Sequence, residues 1–174
     1  MSANFGDTLR RLIMLSAAAL SLTAAGATTP NSELVPLSGN VHQFARTQLD
    51  AGEAPSTLRP TGLDIVFTKT PEQQGALQQL LIAQQDPKSA QYHKWLTPAQ
   101  YGQRFGASDA TLAAVTNWLK SSGLTVGQLP PGRGHLPFFG SKTQIESALH
   151  TQIHLFAAAG EQHYANVSAP LIPA

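Results

Sequence analysis

Residues 63–87 read L-D-I-V-F-T-K-T-P-E-Q-Q-G-A-L-Q-Q-L-L-I-A-Q-Q-D-P, and this stretch sets the fold class. Leu63, Ile65 and Phe67 alternate with Asp64, Val66 and Thr68, the pattern of a strand with one buried face. Thr70-Pro71-Glu72-Gln73 then changes the period: Thr is a natural N-cap, Pro suits the first helical position, and Gln sits three residues on. Ala76, Leu77, Leu80, Leu81 and Ala83 supply an apolar stripe, and Asp86-Pro87 ends the helix. A strand that turns directly into a capped helix is the unit from which the rest is read.

The same signals recur downstream. Lys88–Leu96 is a loop with Ser89, Tyr92, His93, Lys94 and Trp95. Thr97-Pro98-Ala99-Gln100 opens a short helix carrying Tyr101 and Phe105, which Gly106-Ala107 breaks. Ser108 caps a longer helix with Leu112, Val115 and Leu119 on one face, and Gly123 suits the left-handed position past its end. Leu124–Leu129 and His135–Gly140 read as a strand pair around Pro130–Gly134, with Pro137 predicting an edge or a bulge. Ser141-Lys142-Thr143-Gln144 caps a last helix bearing Ile145, Ala148 and Leu149, and strands near 153–157 and 162–167 flank Ala159-Gly160.

Setting aside the inserted helices, the order is βαββαβ. That is an α+β chain of the ferredoxin-like, split-βαβ kind: an antiparallel sheet with helices on one face and the other face free. A free sheet face on a small domain is a surface for a partner.

Residues upstream divide in two. Arg10 and Arg11 precede the apolar run Leu12–Leu22, and Ala25-Gly26-Ala27 has the small-x-small form a signal peptidase accepts. Residues 1–27 therefore read as an export signal cut between Ala27 and Thr28, because the run is too short to span a bilayer as a helix. Residues 28–60, with Pro30, Pro36, Pro55 and Pro60, read as an extended arm with a helical turn near Val41–Arg46. The compact domain is then 61–174.

Composition narrows the function. The 174 residues carry 11 Lys+Arg against 10 Asp+Glu and no cysteine, and 12% are charged while 42% are hydrophobic. Near-neutrality argues against a nucleic-acid binder. The absence of cysteine excludes disulfides, thiolate metal sites and cysteine nucleophiles, so packing alone holds an exported fold. No second apolar segment suits a membrane, and the expected location is secreted or periplasmic.

No catalytic constellation emerges. His150 and His154 have the i,i+4 spacing of a metal helix, but the accompanying Glu is missing and they straddle a helix-to-strand junction. Gly140-Ser141 lacks the following glycine of a nucleophile elbow, so Ser141 is a cap. Gly132-Arg133-Gly134 lacks the context of a phosphate loop, and Asn166-Val167-Ser168 is a glycosylation sequon. No metal or cofactor is expected.

The stretch Leu81–Lys120, L-I-A-Q-Q-D-P-K-S-A-Q-Y-H-K-W-L-T-P-A-Q-Y-G-Q-R-F-G-A-S-D-A-T-L-A-A-V-T-N-W-L-K, resembles the activation (pro) domain of sedolisin/kumamolisin serine-carboxyl peptidases. Asp86, Pro87, Ser89, Tyr92, Trp95, Leu96, Thr97, Pro98, Phe105, Gly106, Ser108, Trp118 and Leu119 match its signature, with Tyr101 where Phe is common. Segments 132–149, 153–156, 164–168 and 170–173 resemble the family's later strands, helix and closing segment.

The resemblance implies a ferredoxin-like propeptide that assists folding of an attached peptidase, blocks it, and is released in acid. Its partner is the cognate catalytic domain, in cis or in trans. The family's Ser-Glu-Asp triad, oxyanion-hole Asp and calcium site belong to that catalytic domain, expected beyond Ala174, so this chain alone is expected to be non-catalytic. The alternatives are a stand-alone secreted inhibitor acting in trans and the N-terminal piece of a longer peptidase precursor.

Two features of the residues suit this role. His42, His93, His135, His150, His154 and His163 charge below about pH 6.5, with His93, His135 and His154 the candidate pH switch. Phe138 and Phe139 are adjacent on a strand, so one faces the core and the other the open face, a candidate docking surface. Trp95, Trp118, Tyr101 and Phe105 are expected in the core.

Overall fold

The computed structural model describes residues 33–158 and 160–174; the export segment with Ala27 and Thr28 lies outside the described residues. The elements are β1 (Leu34–Pro36), a 3-10 turn (Thr47–Leu49), β2 (Asp50–Glu53), β3 (Leu63–Val66), α1 (Pro71–Gln85), α2 (Pro98–Phe105) and α3 (Asp109–Ser121). They continue with β4 (Thr125–Val126), β5 (His135–Phe139), α4 (Lys142–Leu149), β6 (Ile153–Ala158), β7 (Glu161–Asn166) and β8 (Leu171–Pro173).

The helices begin where capping chemistry places them. Thr70 Oγ1 accepts from the Gln73 N–H while Gln73 Oε1 accepts from the Thr70 N–H, a reciprocal box repeated by Thr97/Gln100 and Ser141/Gln144. Ser108 Oγ accepts from the Thr111 N–H at 3.1 Å. Each cap satisfies donors that the first helical turn leaves orphaned and contributes about 1 kcal/mol. Gly123 takes a φ of +77° and the Leu124 N–H bonds back to the Leu119 carbonyl, which closes α3 and sends Leu124 into the core. The apolar stripe of α1 is narrower than its sequence suggests: Leu80 and Gln84 are buried, Leu77 and Ala83 are half-buried, and Ala76 and Leu81 are exposed.

The class is α+β with antiparallel pairing throughout, in three small sheets ordered β3-β5-β4, β2-β6-β7 and β1-β8. The first contains three strands of the split-βαβ arrangement. The strand expected to complete it, β6, pairs instead with β2 and, through a tight turn at Gly160 (φ +83°), with β7. A hairpin partner two residues away and a strand from upstream occupy both edges of β6, which leaves none for β3.

Two further expectations are revised. Pro137 lies in the middle strand of its sheet, at neither an edge nor a bulge. Phe67 N–H bonds to Gly134 O, so alternation turns the Pro137 nitrogen away from β3 and toward β4. There Gly127 N–H bonds to Pro137 O at 2.8 Å, and proline has no N–H to return. The ladder therefore stops, and β4 is two residues long rather than six. The compact part also begins before Thr61. Residues 34–36 and 50–53 form strands, Ala54 is a core residue, and the turn within 41–46, closed by the Ala45 N–H to the His42 carbonyl at 2.9 Å, is followed by a 3-10 turn at 47–49.

One core joins Leu119 of α3, Leu124, Leu136 and Phe138 of β5, Ile145 and Ala148 of α4, Ile153 of β6, and Ala54. The helices α3 and α4 thus cover one face of the β3-β5-β4 sheet. α2 meets the 130–134 loop through glycine: a Cβ on Gly102 would stand 2.1 Å from Pro131 O, and one on Gly106 would stand 2.5 Å from Arg133 Cβ. Ala107 N–H to Arg133 O (3.0 Å) and the Arg133–Asp109 ion pair (2.8 Å) fasten the same junction.

A buried cation ties the second sheet to the first layer. Lys142, the first residue of α4, is only 2% exposed. Its ammonium meets Glu53 Oε1 of β2 at 2.5 Å and Glu146 Oε1, one turn along α4, at 3.0 Å. Glu146 Oε1 also accepts from the Ile153 N–H of β6 at 2.7 Å. The Lys142 hydrogen bond and charge hold the Glu53 carboxyl below its ordinary range, and the hydrogen bond to Glu53 leads in raising Lys142. The Gly52 N–H, then His154, depress Asp50 in the same way.

Two predictions follow from the geometry. Gly102→Ala should lower stability by roughly 1–3 kcal/mol, because its methyl meets backbone that cannot step aside. Gly75→Ala, on an α1 face where a Cβ meets nothing within 4 Å, should raise it by about 0.5–1 kcal/mol. Chemical denaturation reads both, and equal signs would contradict the packing.

The second concerns acid. Carboxylates with depressed values stabilise above their unfolded range and lose that contribution as pH falls through the folded one, so helical circular dichroism should hold to about pH 5 and decline below about pH 4. Lys142, shifted up first by its hydrogen bond to Glu53, keeps its contribution while these carboxylates are ionised and on the alkaline side loses it only in strong alkali. Glu53→Gln should flatten the acid decline, and loss of helix already between about pH 7 and 5 would contradict the assignment.

Candidate functional site

Alternation along β3 and β5 builds an open face. Register pairs Leu63 with Phe138 and Ile65 with Leu136 on the core side, and Asp64 with Pro137 and Val66 with His135 on the other. On β4 the outward residue is Thr125, opposite Phe139. Phe138 is buried while Phe139 is 47% exposed, so the pair divides between core and surface, with Phe139 outside. Val66 is 74% exposed on the same face, and sequence reasoning did not single it out. Its signal was present in the alternation, which puts Val66 opposite Leu63 and Ile65. Gly127 sits under this patch, where a Cβ would be 3.0 Å from the Phe139 ring and from Pro137 Cβ.

The candidate histidines occupy three separate places. His135 belongs to the open face, with Nε2 3.9 Å from Asp64 Oδ1, a distance for charge attraction rather than a hydrogen bond. His154, on β6, bonds through Nδ1 to both oxygens of Asp50, at 2.9 and 3.0 Å. His93 stacks on Tyr92 with centroids 3.8 Å apart and on Trp95 at 5.9 Å, at a φ of +53°. Of the three, only His135 can change the charge of the open face itself.

The signature residues are placed by structural chemistry. Asp86 Oδ1 accepts from the Lys88 N–H and Ser89 Oγ from the Gln91 N–H, so the two side chains build the loop after α1. Buried Gln84 bridges back to that loop, donating to Lys94 O at 2.5 Å and accepting from the His93 N–H at 3.1 Å. Thr97, Pro98 and Ser108 start helices, Pro87 follows the end of one, and Gly106 admits the Arg133 loop. Phe105 is buried, and Trp118, Tyr101 and Leu96 are half-buried. Trp95 departs from expectation: it is 63% exposed, held out by the Gln84-braced loop instead of packed inside.

Other sequence features resolve as construction. Asn166 Nδ2 donates to Asn40 O at 2.7 Å and Ser168 O at 2.8 Å, so the sequon asparagine is engaged in packing. His150 adopts the left-handed conformation that ends α4. Among the described residues no group of three or more His, Cys, Asp or Glu could hold a metal ion, and no helix is long and apolar enough to cross a membrane. Lys142 was read only as part of a cap. Its signal was a cation at the N-terminal end of a helix, against the dipole, with Glu146 four residues on.

Residues 50–174 match the model of the Pro-kumamolisin activation domain. Xanthomonalisin from Xanthomonas sp. (strain T-22) is 33% identical over 99 residues, covering 57% of this chain and 12% of that protein. Sedolisin from Pseudomonas sp. (strain 101) is 27% identical over 109 residues, covering 63% of this chain and 19% of that protein. The chain thus matches under a fifth of the length of either relative. The match takes in β2 through β8, including the open β3-β5-β4 face and the Lys142 cluster, and the chain belongs to the Pro-kumamolisin activation domain family.

Proposed function

We propose that this chain is an exported activation propeptide that docks through the open face of β3-β5-β4 onto a sedolisin-type serine-carboxyl peptidase domain. The carrying observation is that Val66 and Phe139 are exposed apolar residues toward the two ends of one sheet face, with Pro137 and Asp64 between them and His135 opposite Val66. Binding the folded peptidase favours that state by mass action, which is how a propeptide acts as a folding assistant. Covering the enzyme before export is complete makes the same contact inhibitory. The propeptide contributes no catalytic group of its own.

One reading is the N-terminal piece of a longer precursor, acting in cis. A stand-alone inhibitor acting in trans is the other reading. Sequencing DNA beyond codon 174 separates them: an in-frame catalytic domain containing Gly-Thr-Ser supports the first, and a stop codon the second.

Acid release follows from His135. A protonated imidazole adds a cation to a face that must be desolvated on docking, which weakens the contact in acid.

The test is binding of the full chain to the cognate peptidase domain at about pH 7 and 5. Val66→Asp and Phe139→Asp should each weaken binding by tenfold or more, the effect of removing a central apolar anchor. His135→Gln should flatten the pH dependence. Unchanged affinity in both apolar variants would overturn the docking face.

A further inference from the structure

β1 lies outside the region that defines the family, which starts at residue 50, yet it pairs with the last strand of the domain. Leu34, Val35 and Pro36 face Pro173, Ile172 and Leu171. The ladder continues past both ends, with Ala174 N–H to Glu33 O at 3.0 Å and Leu37 N–H to Pro170 O at 2.8 Å. Asn166 Nδ2 to Asn40 O ties the following residues to β7.

The packing beneath this segment is thin. Leu37, Asn40 and His42 form one wall of a cleft of about 370 Å³, with Ile65, Phe138 and Ile153 among the residues opposite. Of the three β1 residues only Val35 is half-buried. A two-stranded ladder with little apolar cover is marginal by itself, and with no cysteine in the chain no disulfide locks it.

We propose that residues 33–42 are a releasable strap. Paired, β1 holds Leu171–Pro173 beside α4 and shields that segment from proteases. Opened, it frees residues 170–174 and uncovers the cleft, while Ser168 stays bonded to Thr151 and Asn166 and the Lys142 cluster and the core keep the rest folded. In a precursor, polypeptide leaving Ala174 starts from this clasp, so strap opening sets how readily the junction is cut. That consequence rests on the activation-domain reading; the clasp does not.

The test is amide hydrogen exchange on the full chain with no peptidase present. In the register observed, Val35 and Ile172 are a hydrogen-bonded pair, and Val35→Pro deletes one of its two bonds. Exchange at 171–174 should rise roughly tenfold while α3 and α4 amides stay protected. Unchanged exchange at 171–174 would overturn the strap. Should Val35→Pro loosen the whole domain, the paired substitutions Pro36→Cys and Leu171→Cys decide. Slower exchange at 171–174 in the oxidised than in the reduced form supports the strap, and equal rates refute it.

Discussion

The Lys142 ammonium, buried between Glu53 and Glu146, is the interaction on which the arrangement of layers depends. A cation removed from water must be surrounded by anions or hydrogen-bond acceptors. Here they come from β2, from α4 itself and, through Glu146, from the backbone of β6. One charge therefore fixes the position of three elements. It holds β6 to α4 and β2, while the β6–β7 hairpin takes the other edge of β6. Among the described residues the β3-β5-β4 sheet is left three-stranded, with helices on one side and its other face uncovered.

That open side is the docking surface we propose, and the family signature lies elsewhere. Asp86, Ser89, Thr97, Pro98 and Ser108 are spent on turns and caps, Gly106 on a close approach, and Phe105 on the interior. These residues set where α1, α2 and α3 start and stop, which positions the sheet without touching its outer face. Docking residues on the open face need only be apolar and outward, a weaker constraint on sequence.

What was legible in the sequence was local. Thr70, Thr97, Ser108 and Ser141 were recognisable as caps because each side chain bonds to a backbone group three residues away. The division of Phe138 and Phe139 followed from strand alternation alone. What escaped was non-local. β1 and β2 carry no alternation and sit among prolines and glycines, and they become strands only because β8 and β6 offer edges. The Lys142–Glu53 pair joins residues 89 apart in sequence, and no spacing announces it. Trp95 looks like core by type, and its exposure depends on the Gln84 bridge.

We propose that a sedolisin-type peptidase domain is held on the outer face of β3-β5-β4. The most direct measurement is a hydrogen-exchange and covalent-labelling footprint of the chain bound to that domain at neutral pH. New protection is expected at Val66, His135 and Phe139, with the exposed face of α1 unchanged. Protection on α1 and the Trp95 loop, with Val66 and Phe139 as reactive as in the free chain, would contradict it.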